Sequence, residues 1–461
     1  MKKLIGDKKF YQMVLAIAVP IMIQHGITNF VNMLDNIMIG QVGTEQMSGV
    51  SIVNQLMFVF MICIFGSVSG PGIFGAQFFG KGDHDGVRNT FRLKIMICTI
   101  ICLAGILIFS LFGSELINLY LHNESSVGDI KLTLHYGSEY LKVMMIGLVP
   151  FVIAQTYSST LRETGETMLP MKAGITAVLI NLVLNYVLIY GKFGAPQLGV
   201  VGAAVATVIS RITECLIIVV WTHRHREKNI FIQHAYRSFR IPKYLVIKVA
   251  ITGTPLLINE ALWASGMATL MQRYSVRGLE VVAAINISNT IGNVFNIVFI
   301  AIGSAIAIIV GQLLGANKMK EAKDTAVKLI FFSVVCCIAV GCIMALTSPL
   351  FPRIYKTDQV VKDLAQKFII ITSVMLPLNA FTHATYFTLR SGGKTIITFL
   401  FDSVYIWTIC IPIAFFLTKG TVLAIIPIYI ICQSLELIKC TIGFLLIKKG
   451  VWLHNMVSEQ H

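Results

Sequence analysis

Long apolar runs separated by short polar joints dominate this chain. Cutting at the joints gives twelve apolar segments, at about 11–39, 46–75, 92–113, 138–161, 168–190, 200–222, 247–272, 282–312, 326–350, 366–389, 396–418 and 422–447. Each is close to or longer than the roughly 20 residues that cross a bilayer as a helix. The pattern predicts an all-α membrane protein with twelve transmembrane helices. One joint, Thr222 to Tyr244, is much longer and more polar than the rest. It divides the chain into an N-lobe over 1–221, an inter-lobe linker over 222–246 and a C-lobe over 247–461.

The two halves repeat each other. Pro20 and Pro255 are 235 positions apart, as are Gly43 and Gly278, Glu45 and Glu280, Asn54 and Asn289, Gln77 and Gln312, Gly80 and Gly315, and Thr90 and Thr325. Beyond that the offset falls to 228, where Leu161-Arg162, Gly165 and Thr167 match Leu389-Arg390, Gly393 and Thr395. The difference places an insertion in the first half, around Ser114 to Gly137. Six spans per half is an even number, so both halves insert with the same orientation. Two parallel six-helix repeats are expected to enclose a central cavity, an arrangement typical of transporters.

Composition narrows the class. With 56% hydrophobic residues, 13% charged residues and a mean hydropathy of +0.78, the chain has too little charge to coat a soluble globule. The net charge of +15 fits basic cytoplasmic joints rather than nucleic-acid binding, because no basic run alternates with aromatics on a polar element. Lys81, Arg88, Arg92 and Lys94, then Arg162 and Lys172, then Arg224 to Lys248, fall on one side of the expected membrane, with Lys318 to Lys323, Arg390, Lys394, Lys448 and Lys449. That bias places both termini in the cytoplasm, in a plasma membrane. The ten cysteines show neither a Cys-x-x-Cys pair nor metal-ligand spacing and read as small apolar residues. The basic start of the chain resembles a signal peptide, but its apolar part runs on without a cleavage site, so it is expected to remain as the first span. Asn123-Glu124-Ser125 fits the glycosylation tripeptide.

Several stretches then carry a family resemblance. LDNIMIGQVG (34–43), GAQFFGKGD (75–83), VGQLLGANKMKEA (310–322), LRETGETMLP (161–170), NLVLN (181–185) and LGVVGAAVAT (198–207) together resemble the multidrug and toxic compound extrusion (MATE) family. The resemblance implies a twelve-span antiporter that exports cationic amphipathic compounds in exchange for protons or sodium ions. The family's first-span carboxylate matches Asp35, its fifth-span polar pair matches Asn181 and Asn185, and its sixth-span threonine matches Thr207. These residues would form the coupling-ion site, with sodium as the metal they would hold. The seventh-span glutamate matches Glu260. Some members carry an aspartate after the Leu-Arg-x-Gly motif, but this chain has Lys394-Thr395 there, with Asp402 the nearest acid.

The residues themselves carry part of this reading. A carboxylate within a span is costly and persists where it serves an ion or a cavity, which singles out Asp35 and Glu260. Oxygen ligands at 181, 185 and 207 suit a hard cation, yet a desolvated carboxylate can equally carry a proton. The choice between the two ions stays open. Asp35, Glu260, His25, Met33, Met57 and Asn286 are the candidate contacts for a substrate, since flexible thioethers suit varied apolar cations. Asp402, with Arg390 and Lys394 close in sequence, is expected either to form a salt bridge at an inner gate or to take a direct part in transport. No cofactor beyond the coupling ion, no nucleic acid and no partner chain is expected, and a monomer would suffice. A lipid-linked saccharide flippase is the alternative, although it would call for more intramembrane arginine. No constellation of an intramembrane enzyme is present.

Overall fold

The computed structural model describes residues 4–121, 129–355 and 357–458, apart from the side chains of residues 32, 33, 36 and 37. Among the described residues there is no strand. The helices are α1 (Lys8–Gly40), α2 (Thr44–Lys81), α3 (His84–Asn118), α4 (Ile130–Ile146), α5 (Leu148–Glu163), α6 (Met168–Tyr190) and α7 (Gly199–Arg224), followed by α8 (Lys243–Ser275), α9 (Leu279–Gly315), α10 (Met319–Thr347) and α11 (Gln359–Ser391). Then come α12 (Thr395–Phe399), α13 (Ile411–Gly420), α14 (Ile425–Ser434) and α15 (Glu436–Lys449). Among the described residues eleven stretches are long and apolar enough to span a membrane, and α4 with α5, taken as one bent span, makes a twelfth. At 38 residues α2 runs about 57 Å, nearly twice the hydrocarbon thickness, so its ends project beyond it.

Three spans depart from regular helix, one of them only by the break at Leu435 between α14 and α15. The expected segment 138–161 starts earlier, at Ile130, and is broken by 46° at Gly147. Glycine there leaves room for Val208 and Arg211, which a β-carbon would approach to 3.2 and 3.3 Å. Pro150 follows within the first turn of α5, where its missing N–H costs little. The expected segment 396–418 passes from α12 through two π-helical stretches, Leu400–Val404 and Ile406–Cys410, into α13. Such widened turns recur where helices carry function.

The chain divides into two compact units. One comprises Ile23–Gly75 and His84–Ile247, the other Met1–Met22, Ala76–Asp83 and Lys248–His461. The start of α1 and the end of α2 therefore belong with the second half of the chain, a grouping that the cut at 222–246 does not foresee. Packing explains it. Val14, Ile17, Ala18 and Ile21 of α1 share a buried cluster with Ala301, Ile302, Ala305 and Ile309 of α9.

The end of α2 is held more closely still. A β-carbon on Gly80 would lie 1.9 Å from the Gln312 carbonyl oxygen, and one on Gly315 would lie 1.8 Å from that of Gln77. The repeated Gln-x-x-Gly thus makes a reciprocal backbone crossing that only glycine permits. Gln77 Nε2 donates to Ser391 O at 2.8 Å, and its Oε1 accepts from Met456 N at 2.8 Å. The C-terminal segment adds Asn455 Nδ2, which donates to Gly315 O at 3.2 Å, and a fully buried Trp452.

In the other unit the core gathers Val53, Met57, Phe60 and Ile64 of α2 with Cys98 and Cys102 of α3 and Tyr140 and Met144 of α4. The polar joint packs here too. Phe231 is buried against Phe91, and Arg92 donates to the carbonyls of Ala235 and His234 at 2.7 Å each. Two charges that sequence position assigns to cytoplasmic joints are instead engaged within this unit, Lys94 buried and Arg162 half-buried. Lys94 is fully enclosed beside Glu163, and Arg162 donates to Gln24 Oε1 at 2.9 Å.

Candidate functional site

The first polar cluster forms where α1, α6 and α7 meet within one unit. Asn181 and Asn185 are one turn apart, so α6 presents both amides on one face. Asn185 Nδ2 donates to Asp35 Oδ1 at 2.7 Å. The Asn181 amide is best satisfied with its nitrogen 2.9 Å from Asp35 Oδ2 and its oxygen 3.3 Å from the Thr207 hydroxyl. Asn181 and Asn185 are buried, whereas Asp35 is half-buried. No cationic side chain pairs with Asp35 among the described residues, and Asn185 Oδ1 is a buried acceptor with no partner.

One carboxylate, two amides and a hydroxyl thus form one hydrogen-bonded cluster with at most one negative charge. Such a donor set suits a hard monovalent cation or a proton. The unpartnered Asn185 oxygen is what a bound cation would satisfy. Among the described residues, no three His, Cys, Asp or Glu side chains gather to hold a metal ion, so a transition-metal site of that kind is not formed.

The second cluster lies in the other unit. Asp402, on the first π-helical stretch, accepts from Lys439 Nζ at Oδ1 (2.8 Å) and from Asn259 Nδ2 at Oδ2 (3.2 Å). This corrects the expected gate pair, since the ion partner of Asp402 is Lys439 of α15 rather than Arg390 or Lys394. Arg390 instead stacks over Phe387, 5.3 Å from the ring centre. Lys439 also lies 3.8 Å from Glu436, which accepts from the Thr382 hydroxyl at 2.7 Å. Asn259 is fixed by Ser403, whose hydroxyl donates to its Oδ1 at 2.7 Å. Glu260, the next residue on α8, is half-buried and feels the charges of Arg390 and Asp402.

The remaining candidates are scattered. His25 stands exposed on α1 with the Arg162 charge acting on it. Asn286 is exposed on α9. Met57 is 1% exposed and belongs to the core of its unit, so packing accounts for it. The Met33 side chain and the Asn123–Ser125 tripeptide lie outside the described residues. Lys439 escaped the sequence reading, although a lysine inside the last apolar segment was itself the signal.

Comparison with known proteins adds a frame to these clusters. The MatE family model matches residues 20–187 and again 255–418, once in each half. The chain is 24% identical over 439 residues to the probable multidrug resistance protein NorM of Thermotoga maritima, covering 95% of this chain and 92% of that one. It is 23% identical over 423 residues to the probable multidrug resistance protein YoeA of Bacillus subtilis, covering 89% and 88%. Among solved structures it is similar to the MATE transporter VcmN of Vibrio cholerae, with a TM-score of 0.86 at 14% identity over 99% of each chain. An outward-facing multidrug resistance MATE family transporter superposes with a TM-score of 0.84 at 18% identity, covering 97% of this chain and 98% of the other.

Proposed function

Because the chain belongs to the MatE family, and is therefore a multi-pass membrane transporter rather than an enzyme, we propose that it is a cation-coupled antiporter that exports amphipathic organic cations by alternating access. The observation that supports this reading is the Asp35 cluster, a carboxylate with two amide partners, a hydroxyl on one of those amides, no ammonium or guanidinium partner among the described residues, and a spare buried oxygen at Asn185. Relatives such as NorM of Thermotoga maritima, described as a probable multidrug resistance protein, support the substrate class.

The mechanism follows from competition for charge. A lipophilic cation is held by a carboxylate, at Asp35 or Glu260, and by apolar side chains. A proton or sodium ion arriving from outside neutralises the same carboxylate and releases the exported compound. Linkage of this kind shifts the transport equilibrium only through the ion's different affinity for the two states. Asn181, Asn185 and Thr207 would hold the ion beside Asp35. The protein would act as a monomer in the plasma membrane with both termini in the cytoplasm.

The test is dye export from reconstituted vesicles, driven separately by a sodium gradient and a proton gradient. Asp35→Asn is expected to abolish coupled export while leaving the folded yield unchanged, and Glu260→Gln to weaken substrate binding. Full coupled activity in both variants would overturn the assignment, and the gradient that drives wild-type export identifies the ion.

A further inference from the structure

The two polar clusters use the same kinds of groups. Asp35 is held by Asn185 and Asn181, the latter paired with Thr207; Asp402 is held by Asn259, itself fixed by Ser403, with Glu436 and Thr382 alongside. They differ in one component. Lys439, only 8% exposed, places its ammonium 2.8 Å from Asp402 and 3.8 Å from Glu436, and stacks 5.2 Å from the centre of the Phe401 ring. No equivalent cation reaches Asp35 among the described residues.

The repeat sharpens the contrast. Lys439 corresponds to Arg211 at the offset of 228, and Asp402 corresponds to Gly174. In the first half, therefore, the basic residue has no carboxylate at that place, and the nearby acid that acts on Arg211 is Glu214 of its own helix. In the second half, Lys439 has acquired a carboxylate partner on another helix.

We propose that Lys439 is a tethered counter-ion, an ammonium built into the chain that permanently fills the carboxylate site at Asp402 and Glu436. A monovalent cation from solution is thereby kept from Asp402 and Glu436 and is left with the Asp35 cluster. Only that last part rests on the reading of Asp35 as the coupling site; the exclusion of ions from Asp402 stands by itself. Both carboxylates have a donor on each oxygen, but at Asp402 one of the two is a charged ammonium, whereas at Asp35 both are neutral amides. A sodium ion coordinated there would lie within a few ångströms of the Lys439 ammonium, and the two like charges would repel. Of the charged groups in this cluster, Glu260, Asp402 and Glu436 are acidic and Arg390 and Lys439 basic. Removing Lys439 leaves two carboxylates without their nearest cation, and a buried uncompensated charge recruits an ion from solution.

The experiment measures thermal melting of the purified full-length protein in detergent, with sodium chloride replaced by choline chloride at constant ionic strength. Lys439→Met is expected to melt lower in choline and to gain a sodium-dependent rise of at least about 2 °C beyond that of the wild type. The gain should persist in an Asp35→Asn background and vanish in Lys439→Met/Asp402→Asn. Lys439→Arg should behave as the wild type. Asp402→Asn alone, with Lys439 retained, provides a readout that does not depend on recovering Lys439→Met, and its sodium response should equal that of the wild type. A sodium response lost in Asp402→Asn, or unchanged from wild type in a folded Lys439→Met, overturns the proposal. Failure of the Asp35 reading looks different, because the wild type would then lack an Asp35-dependent sodium response while Lys439→Met still gained one.

Discussion

Glu163→Gln is expected to be among the most damaging single substitutions in the chain, although it changes little in shape. Lys94 is fully buried, and its Nζ donates to both Glu163 carboxylate oxygens at 2.5 and 2.6 Å and to the Ser159 and Thr160 hydroxyls at 3.0 and 3.2 Å. Glu163 in turn lies flat against α2, where a β-carbon on Gly75 would come 2.2 Å from Oε2 and one on Gly72 2.8 Å from Oε1. Removing the carboxylate charge leaves an enclosed ammonium facing an amide, and breaking a buried pair from one side costs about 3–5 kcal/mol. For a unit of this size that is on the order of 6–20 °C in melting temperature. Removing both charges together should cost far less, about 1 kcal/mol, because paired apolar replacement of a buried ion pair is often near neutral.

The second half of the chain already carries that replacement. Leu329 and Ser391 stand at the positions equivalent to Lys94 and Glu163, both buried. Melting can be followed with a thiol-reactive dye, since Cys98 and Cys102 are buried on α3 just beyond Lys94. The reasoning fails if Glu163→Gln melts within about 2 °C of the wild type, or if Lys94→Met/Glu163→Met is as unstable as the single variant.

Two other outcomes follow from the geometry. Gly80→Ala and Gly315→Ala put a methyl group 1.9 and 1.8 Å from carbonyl oxygens, so both should lose monodisperse protein on size-exclusion chromatography. Gly82→Ala should not, because that site has φ +80 but open space around it, and strain alone costs about 1 kcal/mol. If exchange is one monovalent cation for another, export should not respond to voltage. An uncompensated charge would gain about 3.5 kcal/mol across roughly 150 mV, some 300-fold in accumulation, so a potential-driven rise of that order in vesicles would refute one-for-one exchange.

Most of the architecture was legible because it follows from local pattern. Apolar runs set by membrane thickness mark the helices, and the Gln-x-x-Gly repeat marks their duplication. The Asp35 cluster was legible for a related reason. An acid inside a span demands an account of itself, which marks Asp35, while its grouping with Asn181, Asn185 and Thr207 came from the resemblance to the MATE family; helical periodicity adds that the two amides share a face. What stayed hidden are pairings made only when distant helices pack. Nothing local joins Lys94 to Glu163 or Asp402 to Lys439, and sequence proximity pointed instead to Arg390. The break at Gly147 and the widened turns around Asp402 were hidden as well, because hydropathy reports that a segment is apolar and not whether its hydrogen-bond ladder is regular.

The crossing at Gly80 and Gly315 has a bearing on how the protein can be divided. A contact in which the first copy of a motif meets the second exactly as the second meets the first has the reciprocity of association between identical subunits. Residues 1–221 and 247–461, produced as separate polypeptides in one cell, should therefore recognise each other through it, and co-purification would reveal the join that fusion into a single gene conceals.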